Sequence, residues 1–110
     1  MGIFRIYAGA DGESHIEELD LDSHTKLISF RNLTEARIQH FPELRNMDFH
    51  PLPERRLIIH LSGEAEIRLS DGTKQIFRPG DVRLMEDVTG RGHTHRDLSQ
   101  NTAVYILLSD

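Results

Sequence analysis

The chain has 110 residues, 37% of them hydrophobic and 28% charged, which is the composition of one globular domain spanning residues 1–110. It has no cysteine, so disulfide frameworks, thiolate metal sites and thiol nucleophiles are excluded. A formal net charge of −5 argues against general affinity for nucleic acid, and the longest apolar run, AVYILL at 103–108, is far too short to span a membrane. A soluble, cytoplasmic protein is expected, with neither nucleic acid nor membrane among its partners.

In chain order, residues 1–47 read as N-terminal strands. The stretch MGIFRIYAGADG lacks the apolar core of a leader peptide. Asp11, Glu13, Glu17, Glu18, Asp20 and Asp22 then form an acidic run best read as a solvated face rather than a cation site. Within it, residues 18–22 alternate Leu19 and Leu21 with acidic residues, the two-residue period of a half-buried strand. The stretch 32–41 has two readings: Asn32 could cap a helix with Glu35 in its first turn, yet its alternation suits a strand, which is the expectation adopted.

The next stretch is more informative. Two strand-like runs flank Asp71-Gly72, a strong hairpin signal, and in the first of them Ala65, Ile67 and Leu69 share one face. Gly63 interrupts the longer run 57–69 as a bend or bulge would. Pro79-Gly80-Asp81 separates the next strand from VRLME at 82–86, and TAVYILLS at 102–109 supplies a last, heavily apolar strand, read here as an edge that a second subunit could cover. Many short strands with regular turns mean an all-β sandwich or barrel. His60, on the apolar run 57–62, reads as a hydrogen-bonded core or sheet histidine, and His15, His24 and His40 as surface or packing residues. Arg78, Arg83, Arg91 and Arg96 gather near the C-terminal third, read as surface arginines, although a small anionic ligand is thinkable there.

The chemistry-rich stretch is EDVTGRGHTHR at 86–96. Gly90 and Gly92 suggest a backbone role before His93, either positive φ or close approach. If the chain is extended there, His93 and His95 share a face. Glu86 and Asp87 could orient an imidazole, since a ligating histidine normally gives its other N–H to a carboxylate or carbonyl.

The order LSGEAEI, DGTKQIFRPGDV, GRGH resembles the cupin superfamily over residues 48–108, and HPLPERR, LSGEAEI, PGDV and EDVTGRGH together resemble its small bacterial single-domain, RmlC-like members of undefined function. The resemblance implies an antiparallel β-barrel or jelly roll with a site in the barrel mouth, and homodimers are common in that superfamily. The superfamily pattern G-x5-H-x-H-x3,4-E-x6-G, anchored on Gly63, puts His50 and Leu52 at its histidine positions and Arg56 at its glutamate position. The second pattern, anchored on Gly80 with two residues inserted, puts His93 at its histidine position and Asp97 where asparagine is usual.

The resemblance implies one divalent transition metal, Fe, Mn, Ni or Zn, held by His50 and His93 with His95 and Glu86 in reserve. Leu52 and Arg56 at ligand positions leave a metal-free pocket equally open. Arg56 opposes a cation unless it swings away or pairs with Glu86 or Asp87. The first functional expectation is therefore a small-molecule-binding cupin with a ligand site formed by His50, Arg56, His93 and Asp87, the ligand small and of a kind an arginine could hold as an anion. The alternatives are a metal-dependent oxygenase, or an isomerase using His93 for proton transfer, acting on a small organic substrate, and a dimeric interaction module.

Overall fold

The structure is a computed structural model that describes residues 1–20, 22 and 29–109. Leu21 and His24 lie outside the described residues. The described secondary structure is all β: β1 (Ile3–Ala8), β2 (Ser14–Glu18), β3 (Leu33–Phe41), β4 (Asn46–His50), β5 (Arg56–Ser62), β6 (Ala65–Arg68), β7 (Lys74–Phe77), β8 (Val82–Glu86), β9 (His93–Asp97) and β10 (Asn101–Leu108). A six-stranded sheet runs β2-β1-β8-β5-β10-β3 and a four-stranded sheet runs β4-β9-β6-β7. Pairing is antiparallel throughout except between β1 and β8, which run parallel, with Ile3 opposite Val82 and Tyr7 opposite Glu86.

The alternation that predicted β6 also directs it. Ala65, Ile67 and Leu69 are buried, and Ile67 and Leu69, with Phe77 from β7, meet Ile6, Ile58, Met85, Ala103 and Tyr105 from the six-stranded sheet in one cluster. Two sheets that share one core are a sandwich, each strand sending alternate residues inward. The β6–β7 hairpin turns at Asp71-Gly72: Gly72 N–H donates to Leu69 C=O at 3.0 Å, Asp71 Oδ1 accepts from Thr73 N–H at 2.8 Å, and Gly72 has φ of 89°. The stretch 32–41 is strand β3, as its alternation indicated, and Gly63 breaks β5 from β6 at a φ of 76°. A Cβ at Gly63 would sit 2.1 Å from the Gln100 carbonyl oxygen, so only glycine lets these two segments touch.

Two expectations need correction. The acidic strand begins earlier and ends sooner than the Leu19–Leu21 alternation suggested: β2 stops at Glu18, and its inward phase is Ser14 and Ile16. Leu19 instead joins Ile3, Phe30, Leu57, Val82 and Leu84 in an apolar recess on the other face of the large sheet. The strand β10 is not an edge. It lies between β3 and β5 and pairs with both, so its backbone groups are spent and its apolar character reflects a strand covered on both sides. The edges of that sheet are β2 and β3.

Candidate functional site

A cavity of about 90 Å³ opens between the two sheets, lined by Arg45, Met47, His50, Leu52, Arg56, Ile58, Arg83, Met85, His93, His95 and Tyr105. The strand period explains its walls. In β9, His93, His95 and Asp97 are buried on the inward phase, while Arg96 is exposed on the other. In β8, Arg83 and Met85 face the cavity, while Val82 and Leu84 face the apolar recess behind the sheet.

The expected pair is brought together. His50 and His93 stand directly opposite each other in the β4–β9 register, with ring centroids 4.9 Å apart. This register needs the glycine before it: Gly92 has φ of 81°, and a Cβ there would lie 1.9 Å from the His50 carbonyl oxygen. His50 Nδ1 is 2.7 Å from the Asp48 carbonyl, which can only accept, so this nitrogen carries the proton. His93 is fixed the same way, Nδ1–H donating to Asp87 Oδ2 at 2.6 Å, and the same oxygen accepts Ser14 Oγ–H at 2.7 Å. In its neutral form each ring therefore keeps Nε2 as a lone-pair acceptor. Burial pushes the His93 pKa down against the opposing pull of Asp87, so the ring is neutral near pH 7. Asp87 is fully buried and acts through His93 rather than lining the cavity itself.

His95 does share the face of His93, but its Nε2 is engaged by Asp97 Oδ1 at 2.7 Å. Burial lowers its pKa to about 3. Asp97 is also clasped by Arg45, whose Nε and Nη2 donate to its two oxygens at 2.7 and 3.1 Å, and by Asn101 Nδ2–H at 2.8 Å. Burial alone would raise the Asp97 pKa, but the hydrogen bonds from Arg45, His95 and Asn101 hold it well below the usual carboxylate range.

Glu86 is not brought to this site. It occupies the opposite phase of β8 and bonds Arg5 and Arg55 there. Nor does Arg56 pair with Glu86 or Asp87: its side chain is only 14% exposed, and its guanidinium contacts the Glu54 carbonyl at 3.4 Å and lies 4.0 Å from the Glu54 carboxylate.

Arg83 needs the larger correction, because it is not a surface arginine. It is 3% exposed, its Nε donates to His60 Nε2 at 3.0 Å, and its guanidinium lies 5.4 Å from the centre of the Phe77 ring. Burial and the neighbouring Arg83 cation together push the His60 pKa down to about 3, so His60 is a neutral, hydrogen-bonded core histidine. Arg45, Asp97 and Tyr105 were not identified as site residues from the sequence. A usable signal existed for Asp97, which is in phase with His93 and His95 along β9.

This donor set does not fit a divalent metal. The superfamily pattern's remaining ligand positions hold an aliphatic Leu52 and a cationic Arg56, and both side chains face the cavity. Among the described residues there is no group of three or more His, Asp or Glu placed to hold a cation. Two imidazoles facing three arginines make a weak cation site, since nearby like charge opposes occupancy. What the arrangement can do is accept a proton or hydrogen bond at Nε2 of His50 and His93 and donate N–H groups from its arginines.

No protein-family model and no curated protein matches the chain. Among solved structures it is similar to a conserved protein of unknown function from Streptococcus pyogenes, at 17% identity over 76% of this chain and 70% of that one, with a TM-score of 0.55. It is also similar to a cupin superfamily protein from Desulfitobacterium hafniense, at 19% identity over 76% of this chain and 84% of that one, with a TM-score of 0.51. An RmlC-like cupin from Desulfovibrio desulfuricans aligns at 16% identity over 76% and 90% of the two chains, with a TM-score of 0.48. The all-β, two-sheet architecture and the likeness to the second of these structures give the chain a cupin fold.

Proposed function

We propose that this cupin-fold protein binds a small molecule in the mouth between its sheets, contacting His50, Arg56 and His93, with Asp87 fixing the His93 tautomer from behind. The observation that carries the reading is the buried Asp87–His93 pair, which turns an acceptor nitrogen toward the cavity and holds it there. Holding one imidazole in a single orientation against a cavity is what recognition of an oriented ligand requires. A cavity of about 90 Å³ suits a compact ligand. At roughly 30 Å³ per water it holds about three waters.

Ligand-observed NMR with a library of very small polar compounds tests the reading. Hits should weaken at least ~10-fold in His93→Gln, the loss expected for one good hydrogen bond. Hits that persist unchanged in both His93→Gln and His50→Gln would place binding elsewhere and remove the proposal.

A further inference from the structure

The cavity is bordered by three arginines, Arg45, Arg56 and Arg83. The guanidiniums on its wall differ in how they are neutralised. Arg45 is bound on two nitrogens by Asp97, and Arg56 has the half-exposed Glu54 at 4.0 Å. Arg83, the most deeply buried of them, has no carboxylate within salt-bridge distance among the described residues. Its recorded partners are a histidine nitrogen, the Met85 sulfur at 3.9 Å and an aromatic face.

A buried cation without a counter-charge is expensive, and native proteins normally pair such groups. His60 offers Arg83 only a neutral acceptor. Burial depresses the Arg83 pKa to about 10, which leaves the group charged at neutral pH. Asp97 acts on Arg83 only through space and is already engaged by Arg45, His95 and Asn101. Among the described residues no carboxylate pairs directly with Arg83, and an anion entering the cavity would supply that contact.

We infer that the cavity is a receptor for a small carboxylate, its oxygens held by the guanidiniums of Arg83 and Arg56 and its short carbon chain lying against Leu52, Ile58 and Met85. This rests on the small-molecule reading above and narrows it to one ligand class. The apolar part of the wall favours a carboxylate over a tetrahedral oxyanion, since a guanidinium fork suits both. That part, Leu52, Ile58 and Met85, would be wasted on phosphate. The volume limits the acyl chain to the size of acetate or pyruvate.

Calorimetric titration of the full chain at constant ionic strength, with acetate and pyruvate as probes and acetamide, pyruvamide and phosphate beside them, tests this. The carboxylates should bind at least ~10-fold more tightly than their neutral amides, the difference expected of a charge-assisted pair. Arg83→Met should weaken carboxylate binding at least ~30-fold and Arg56→Gln about 10-fold. Arg83→Lys, which keeps the charge but not the fork, should fall between wild type and Arg83→Met. Should Arg83→Met fail to fold by circular dichroism, Arg56→Gln and Arg83→Lys still carry the test.

Amides binding as well as acids, or full carboxylate affinity in the folded Arg83 and Arg56 variants, would overturn the anion inference and leave the small-molecule reading standing. Binding of neither acids nor amides would overturn both. Phosphate binding more tightly than either acid would overturn the choice of carboxylate. Carboxylate binding that requires added Zn²⁺ or Mn²⁺ would overturn the inference in favour of a metal site.

Discussion

His93 donates its Nδ1–H to Asp87 Oδ2 across 2.6 Å in the buried interior, and Ser14, from a strand more than seventy residues earlier in sequence, donates to the same carboxylate oxygen. One side chain thus ties β2 of the large sheet to β9 of the small one. Asp87→Ala would leave the Ser14 hydroxyl and the His93 N–H unpaired in the interior, at a cost of about 3 kcal/mol. Urea denaturation should show that loss. In the folded fraction, ¹⁵N chemical shifts should show His93 no longer held as the single Nδ1–H tautomer. A variant that kept both wild-type stability and the wild-type tautomer would contradict the pairing.

The interior histidines set an acid dependence whose sign is fixed. In the unfolded chain they titrate near their ordinary value of 6.5, whereas burial holds His60 and His95 near 3 in the native state and also lowers His93. Between those limits the unfolded chain binds more protons, so stability is fully present above about pH 6.5 and falls as pH drops toward 3. Each fully shifted histidine adds a slope of up to about 1.4 kcal/mol per pH unit in that window. Asp97, lowered in the native state, extends the loss to more acid pH, beginning below its ordinary value of 3.8. Urea midpoints measured from pH 7.5 to 4.5 should decline throughout the lower part of that range, and less steeply in His60→Gln. A flat profile would mean these histidines are not buried neutral.

Which parts of this arrangement were legible beforehand follows from what a local pattern can encode. The β6–β7 hairpin was readable because Asp71-Gly72 and the Ala65, Ile67, Leu69 phase are both local signals. The His50–His93 pair was readable because the superfamily spacing singles out two residues that the β4–β9 register sets face to face. Arg83 was not readable. Both phases of β8 are covered, Arg83 and Met85 by the cavity side and Val82 and Leu84 by the recess behind, so apolar alternation gives no clue to which phase is inside. The central place of β10 was hidden for a related reason: a strand's neighbours are a property of topology, and an apolar run reads alike at an edge or in the middle.

The glycine before His93 gives a sharp comparison. Gly92→Ala would meet two penalties, a left-handed φ of 81° and a Cβ 1.9 Å from a backbone oxygen that cannot rotate away. Gly72→Ala meets only the first, since its φ is 89° but no atom lies within 4 Å of the added carbon. The left-handed conformation costs roughly 1–2 kcal/mol, so Gly72→Ala should lose about that much and Gly92→Ala clearly more. Gly92→Ala should also separate His50 from His93, visible as the loss of nuclear Overhauser contacts between the two rings. Equal destabilisation by the two substitutions would argue against the close approach.

The link between Arg45, which lines the cavity, and the buried Asp97 is the interaction whose loss should be felt most widely. Asp97 is 3% exposed and accepts from Arg45 Nε, Arg45 Nη2, the Arg45 backbone N–H, His95 and Asn101. Asp97→Ala would strand a half-buried guanidinium and two buried N–H donors, at a cost of roughly 3–5 kcal/mol. Asp97→Asn keeps an acceptor oxygen but loses the charge, so it should cost less. The same substitution would add a second unneutralised guanidinium beside Arg83. If the cavity holds a carboxylate, Asp97→Asn should therefore tighten acetate binding even as it lowers the urea midpoint. A variant that is both less stable and weaker in binding would show that Asp97 shapes the cavity more than it sets its charge.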